Sequence, residues 1–323
     1  MKLKLLAVTV LVLVSASAAL SQARYPQQAK NAALRYWMAF AEMQDPPADK
    51  ETQELLGKTS EGKAAWDEAK LGPILDANGA AIRTMQRATK LPDCDWGIEY
   101  DRGPRAALSY VPRARVMARL NQLQGIREMA KGDSQAAVNT WLAGLQFAQH
   151  LASDGPLLLA LVAKAAILPD LRVLTTEARQ GHLSNAEKAQ VSAAVGRLRA
   201  DGLHWAAAWG LEELTLDQVF GEIRHAANPK ESYELLVGEP MPSGANVPSA
   251  EDLRKFHEYM TVVQTALNLP PQAAKARLSA LEAQKRSLAG AVLRLIPSAQ
   301  KVNDNRLEVI TAREELLEAL ARR

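Results

Sequence analysis

Two short marks, Gly132-Asp133-Ser134 and Asp154-Gly155-Pro156, constrain this chain more than any other feature, because each falls between long stretches of helical periodicity. A glycine ends one helix by adopting a left-handed backbone, and an Asp or Ser oxygen then caps the next. Helices joined so tightly must lie antiparallel and share an apolar seam. The stretches concerned are 116–130, 136–151 and 157–177, and the third is almost wholly apolar until Asp170. A helix without a polar face belongs at the centre of its fold.

The same grammar extends along the chain. Ala29, Ala33, Trp37, Phe40 and Ala41 recur at helical steps, and Pro46-Pro47 stops them. A short acidic turn at 49–56 leads to 64–70, and Gly72-Pro73 then restarts a helix with the stripe Ile74, Ala77, Ala81, Met85 and Ala88. Residues 91–104 carry Pro92, Gly97, Gly103 and Pro104, which predicts an ordered loop anchored by Cys94, Trp96, Ile98 and Tyr100. Ser184 or Asn185 caps a helix to about Ala200, and 203–225 forms another with Trp205, Trp209, Leu216, Val219 and Phe220 in the core. Residues 228–250 lack helical periodicity and predict a long loop, which separates a C-terminal helical part, 251–323. That part holds a helix capped by Ser249, one started by Pro270-Pro271, and a last one over 300–323. No stretch alternates convincingly as a strand, although 233–237 allows a brief pairing. The expected class is all-α, built of antiparallel helical hairpins in an irregular bundle or solenoid.

Residues Met1–Ala23 have a separate layout: Lys2 and Lys4, the apolar run Leu5–Val14, then small residues. This is the pattern of a secretory signal peptide, with cleavage expected before Arg24 and a helical domain spanning 24–323. The expected location is periplasmic or extracellular. No cysteine lies near the cleavage region, so no lipid anchor is expected after cleavage. Removing Lys2 and Lys4 turns 39 basic and 36 acidic residues into 37 and 36, a net of +1. So even a balance, without any block of like charge, argues against nucleic acid as a partner. Cys94 is the single cysteine, so stability outside the cytoplasm rests on packing rather than on an intrachain disulfide.

The hairpin 118–151 resembles a tetratricopeptide unit: Gly125 and Ala137 fall at the small-residue positions of its two helices, and Trp141 one turn on is bulky. The closing proline is missing; His150 and Leu151 stand there. Asn31-Ala32-Ala33-Leu34-Arg35-Tyr36-Trp37, Cys94-Asp95-Trp96-Gly97 and the Gly132-Asp133 hairpin together resemble a group of exported bacterial all-helical proteins with no assigned activity. The resemblance covers 31 to about 168 and implies a fold, not a chemistry.

Motifs for chemistry are incomplete. Glu222-Ile-Arg-His225 places a carboxylate and an imidazole on one helical face, as di-iron bundles require, but no second such pair occurs. Glu212, Glu213 and Asp217 sit on the same helix and fit a solvated acidic face. Glu231-Ser232 resembles the catalytic Glu-Ser of lytic transglycosylases, without the later Gly-Leu-Met-Gln tract. Ser60-x-x-Lys63 and Ser298-x-x-Lys301 match an acyl-enzyme triplet only at the level of chance, and Ser60 fits better as a helix cap. Cys94, flanked by Asp93 and Asp95, sits in the wrong field for a thiolate and reads as a small buried hydrophobe beside Trp96. No cofactor motif is present. The sequence favours a non-catalytic module binding a protein or peptide. A cell-envelope hydrolase using Glu231 and a metal-binding bundle around His225 are the rivals.

Overall fold

In the computed structural model, residues 30–243, 246–285, 288 and 290–322 are described. The signal-like segment 1–23 lies outside them. The helices are α1 (Ala32–Glu42), α2 (Lys50–Ser60), α3 (Glu68–Ala88), α4 (Val111–Ala130), α5 (Ser134–Ala152), α6 (Leu157–Gln180), α7 (Asn185–Arg197), α8 (Trp205–His225), α9 (Pro229–Val237), α10 (Ala250–Leu267), α11 (Pro271–Lys285), α12 (Gly290–Leu295) and α13 (Ala299–Ala321). A 3₁₀ turn, Tyr100–Arg105, precedes α4. The class is all-α: among the described residues the non-helical pairing is an isolated bridge between Asn31 and Asp93.

Capping chemistry sets many boundaries. Side-chain oxygens of Asn31, Asp49, Asp67, Asp133, Ser184, Asn228, Ser249 and Ser298 accept from backbone N–H groups in the first turns of α1, α2, α3, α5, α7, α9, α10 and α13. Ser184 with Glu187 and Ser249 with Asp252 form reciprocal capping boxes. Consecutive helices α4, α5 and α6 pack side by side, and α6 also meets α8 and lies along α13. The apolar helix is therefore central. Its buried residues include Leu159, Ala163, Ile167, Leu171 and Leu174.

One apolar cluster runs from Ala32 and Tyr36 through Trp141, Trp205 and Trp209 to Leu316 and Ala319. Residues 251–323 thus complete the core that the earlier helices begin. Among the described residues no helix is long and apolar enough to cross a membrane.

Four expectations need correction. The segment expected as a loop from 228 to 250 contains α9, because Asn228 caps it, Pro229 starts it, and Gly238 closes it in a left-handed conformation. Tyr233 of α9 is buried against Val219 and Ile223 of α8. The acidic turn at 49–56 is part of α2, opened by the Asp49 cap. Helix α3 begins at Glu68 and carries Pro73 inside it, since the Asp67 cap accepts from both Ala69 and Lys70 before the proline is reached. The buried face of α1 is Ala32, Ala33, Tyr36, Ala39 and Phe40, whereas Trp37 is 41 % exposed. That helix is apolar on both faces, so spacing alone cannot say which one turns inward.

Candidate functional site

The turn that follows α2 builds one wall of a trough. Gly62 has φ of 71°, and the N–H groups of Lys63 and Ala64 return to Lys58 O at 2.7 and 3.2 Å. This closes the helix and carries Ala64, Ala65 and Trp66 over the open side of the α4–α5–α6 stack. Ser60 at the end of α2 bonds through its hydroxyl to the amide oxygen of Gln122 on α4, and the Gln122 amide returns to Ser60 O at 2.8 Å. Ser60 is thus a C-terminal tether of α2 and not the cap expected of it. Trp66 Nε1 donates to Glu68 Oε2 at 2.7 Å. Glu68 in turn receives Arg127 through two guanidinium nitrogens and Lys131 at 3.2 Å, which holds its carboxyl down at about 2.

Trp141 of α5 forms the floor. Its indole lies against Gly125 of α4, where any Cβ would overlap it, and Nε1 donates to Gln122 O at 3.2 Å. Ile126 and Met129 of α4 face Pro169 and Val173 of α6 across the trough, whose main cavity is about 850 Å³. A second cavity of about 280 Å³ shares Ser60, Glu61, Pro169 and Arg172 with it and continues between Arg115, Arg119 and Ala165. Pro169 has no N–H, so the Ala165 carbonyl on this surface lacks its usual helical donor.

The two ends differ in charge. At the wide end, His182 Nδ1 meets Glu177 Oε2 at 2.6 Å. At the narrow end Arg172 pairs with Glu308 of α13 at 2.7 Å, and Arg119 reaches Gln53 at 3.4 Å. Arg115 makes no hydrogen bond or ion pair among the described residues. Glu61 is paired with Lys63 at 2.6 Å, whose hydrogen bond lowers its pKa. The trough therefore has an aromatic and aliphatic floor and an arginine-lined exit.

Ser60 and Lys63 line the trough, whereas Glu222, His225 and Glu231 lie elsewhere and apart. Glu222 is bound bidentately by Arg105 at 2.6 and 3.2 Å, and His225 Nδ1 donates to Gly221 O at 2.7 Å. No group of three His, Cys, Asp or Glu side chains able to hold a metal exists among the described residues. Glu213 and Asp217 flank His257 at 3.0 and 3.1 Å. Glu231 is exposed in the first turn of α9, where its N–H and carboxylate both meet the Asn228 side chain. Ser298 caps α13 by accepting from Lys301 N.

Cys94 is half-buried, and burial, with Asp95 second, pushes its thiol up to about 12. Its neighbourhood is a structural cluster: Trp96 stacks on Tyr110 with centroids 4.3 Å apart and donates to His150 O at 2.8 Å. Tyr36 Oη lies 2.6 Å from His150 Nδ1. Asn31 joins this loop to α1 by bonding both the carbonyl and the N–H of Asp95, so the motif residues 31–37 and 94–97 meet in space.

Sequence reasoning missed Trp66, Arg115, Arg119 and Pro169. The Gly125–Trp141 spacing was the one available signal, and it reported packing. No protein-family model, curated protein or solved structure matches this chain.

Proposed function

We propose that this chain is an exported, non-catalytic binding protein that holds an extended peptide segment between α2, α4 and α6. The joining of the two cavities on Ser60, Glu61, Pro169 and Arg172 carries this reading, because it makes one continuous trough. Apolar side chains of the peptide fill the wide part against Trp66, Ile126 and Met129, with Trp141 buried beneath them. Its carboxylates lie toward Arg115, Arg119 and Arg172, where a guanidinium gives charge-assisted, directional bonds. The Ala165 carbonyl is available to a peptide N–H. Export rests on the Met1–Ala23 pattern, and the near-neutral charge of the mature chain favours a local match over long-range steering.

Fluorescence anisotropy with labelled peptides of the pattern apolar-apolar-acidic-acidic tests the reading. The acidic peptides bind, and the double substitution Arg115→Glu with Arg119→Glu weakens them at least tenfold, about 1.4 kcal/mol. Both arginines are exposed, so the fold survives the change. Amide-capped peptides lacking acidic residues bind more weakly. Equal binding of acidic and neutral peptides, or no response to the double substitution, overturns the proposal.

A further inference from the structure

The opposite face of α5 borders a second cavity, of about 600 Å³, closed by α3 and α7. Asn139 and Gln146 are two turns apart on α5 and Gln149 nearly one turn further, so they share that face, while Trp141 turns to the trough. Gln86 of α3 completes an amide lining, and no aromatic or acidic side chain contributes to it. The bonds these amides already make define what they have left. Gln86 Nε2 is engaged with Asn121 and Thr140 at 3.1 and 3.3 Å, Gln146 Nε2 with His150 at 2.9 Å, and Gln149 Nε2 with Gly202 O at 2.6 Å. Three Oε1 acceptors therefore remain, beside one N–H each of Gln146 and Gln149. Asn139 is the reverse: its Oδ1 accepts from Gln135 and Gln190, leaving Nδ2 to donate. Lys90 and Arg197 are exposed at the edge and form no ion pair among the described residues.

We infer that this cavity is a binding site for an acidic sugar, of the uronic acid class. A wall of amides with three free oxygens and several free N–H groups calls for a ligand whose hydroxyls both donate and accept, and two unopposed cations at the edge call for a carboxylate. Leu142, Leu145 and Leu198 offer an apolar strip for the C–H face of a sugar ring. The absence of any aromatic from the lining disfavours a nucleobase, which needs a stacking surface. The volume falls within the usual range of small-molecule sites, about 300–1,000 Å³.

Calorimetric titration of the full mature chain with galacturonic acid and its short oligomers tests the inference. Binding is expected with a dissociation constant of about 1 mM or tighter. Galactose binds at least tenfold more weakly, and Lys90→Glu with Arg197→Glu removes the preference for the acid without altering the weak binding of galactose. Arg115→Glu with Arg119→Glu leaves the sugar acid unaffected, which separates this site from the trough. Absence of binding overturns the inference. So does inorganic phosphate binding as tightly as the sugar acid, which would leave an anion site only. Equal binding of a neutral polar tripeptide also overturns it, as does galacturonic acid binding unchanged by the Lys90 and Arg197 substitutions.

Discussion

His150 and Asp170 show what burial does to a single ionisable group in this core. His150 is 4 % exposed, and burial lowers its pKa from 6.5 to about 4. With Gln146 donating to Nε2, the ring proton sits on Nδ1 and goes to Tyr36 Oη, so the neutral ring is fully bonded. The unfolded chain binds a proton on this histidine below about pH 6.5, whereas the folded chain resists until about pH 4. Stability is therefore complete above the unfolded value and falls as the pH drops through that window, by about 3 kcal/mol at most. Asp170 acts in the other direction: burial raises its pKa well above the carboxylic acid value, and Oδ1 has no hydrogen-bond partner. Ionising it in place is costly, so acid relieves Asp170 while it stresses His150. Urea midpoints from about pH 7 down to about pH 4.5 check the balance. Replacing His150 by Asn removes the loss that acid causes there, so over that range the variant gains stability relative to the wild type as the pH falls. An Asp170→Asn variant shifts the slope the other way, because it removes a buried carboxyl that acid helps; Glu212, whose pKa burial also raises, keeps its share. Equal slopes in wild type and His150→Asn would place the acid sensitivity elsewhere.

Close approach of helices shows in which glycines the elements tolerate. A Cβ on Gly125 would overlap the Trp141 indole, whereas Gly221 in α8 has open space around the same position. Replacing an interior helical glycine by alanine gains about 1 kcal/mol where nothing interferes, and overpacking costs about 1–3 kcal/mol. Gly221→Ala therefore stabilises the chain, and Gly125→Ala destabilises it by about 1 kcal/mol net while shifting the floor of the trough. Thermal melts of the two variants test this contrast; a stabilised Gly125→Ala would mean that α4 and α5 can separate at little cost. The hairpin was legible in sequence because Gly132 and Asp133 act locally, through a left-handed turn and a cap; at the second mark Asp154 rather than Gly155 takes the left-handed conformation, and α6 starts without a side-chain cap. Helix α9 was not, since nine residues with one fully buried side chain give too short a period to read. Its cap signals, Asn228-Pro229 and Gly238, were present but lay among turn-forming residues with the same composition. On α1 the difficulty was opposite: Leu34, Trp37 and Met38 are apolar yet exposed, so two faces competed for the core.

At the scale of the molecule, the trough exists because residues far apart in the chain converge. Trp66, Arg115, Trp141 and Arg172 come from a turn and three helices, and no spacing rule links them. Individual side chains among them were visible as core or surface types, but their grouping depends on how α2 is tethered to α4 through Ser60 and Gln122. The exit of the trough depends further on the C-terminal part. Glu308 of α13 holds both Lys164 and Arg172 of α6, and Val309, Leu316 and Ala319 enter the same apolar cluster as Tyr36 and Trp141. A chain whose last helix lies along its central one has no boundary at which half the core can dissolve alone. Urea unfolding should thus be a single transition, with far-ultraviolet circular dichroism and tryptophan fluorescence coincident. The tryptophans make this discriminating. Trp205 and Trp209 report on the C-terminal half and the rest on the N-terminal half, so a Trp205→Phe, Trp209→Phe variant isolates the latter. Its fluorescence midpoint should still match the dichroism midpoint of that variant. Separate transitions would mean that 251–323 folds as its own unit, and that the arginine exit can be lost while the apolar floor persists.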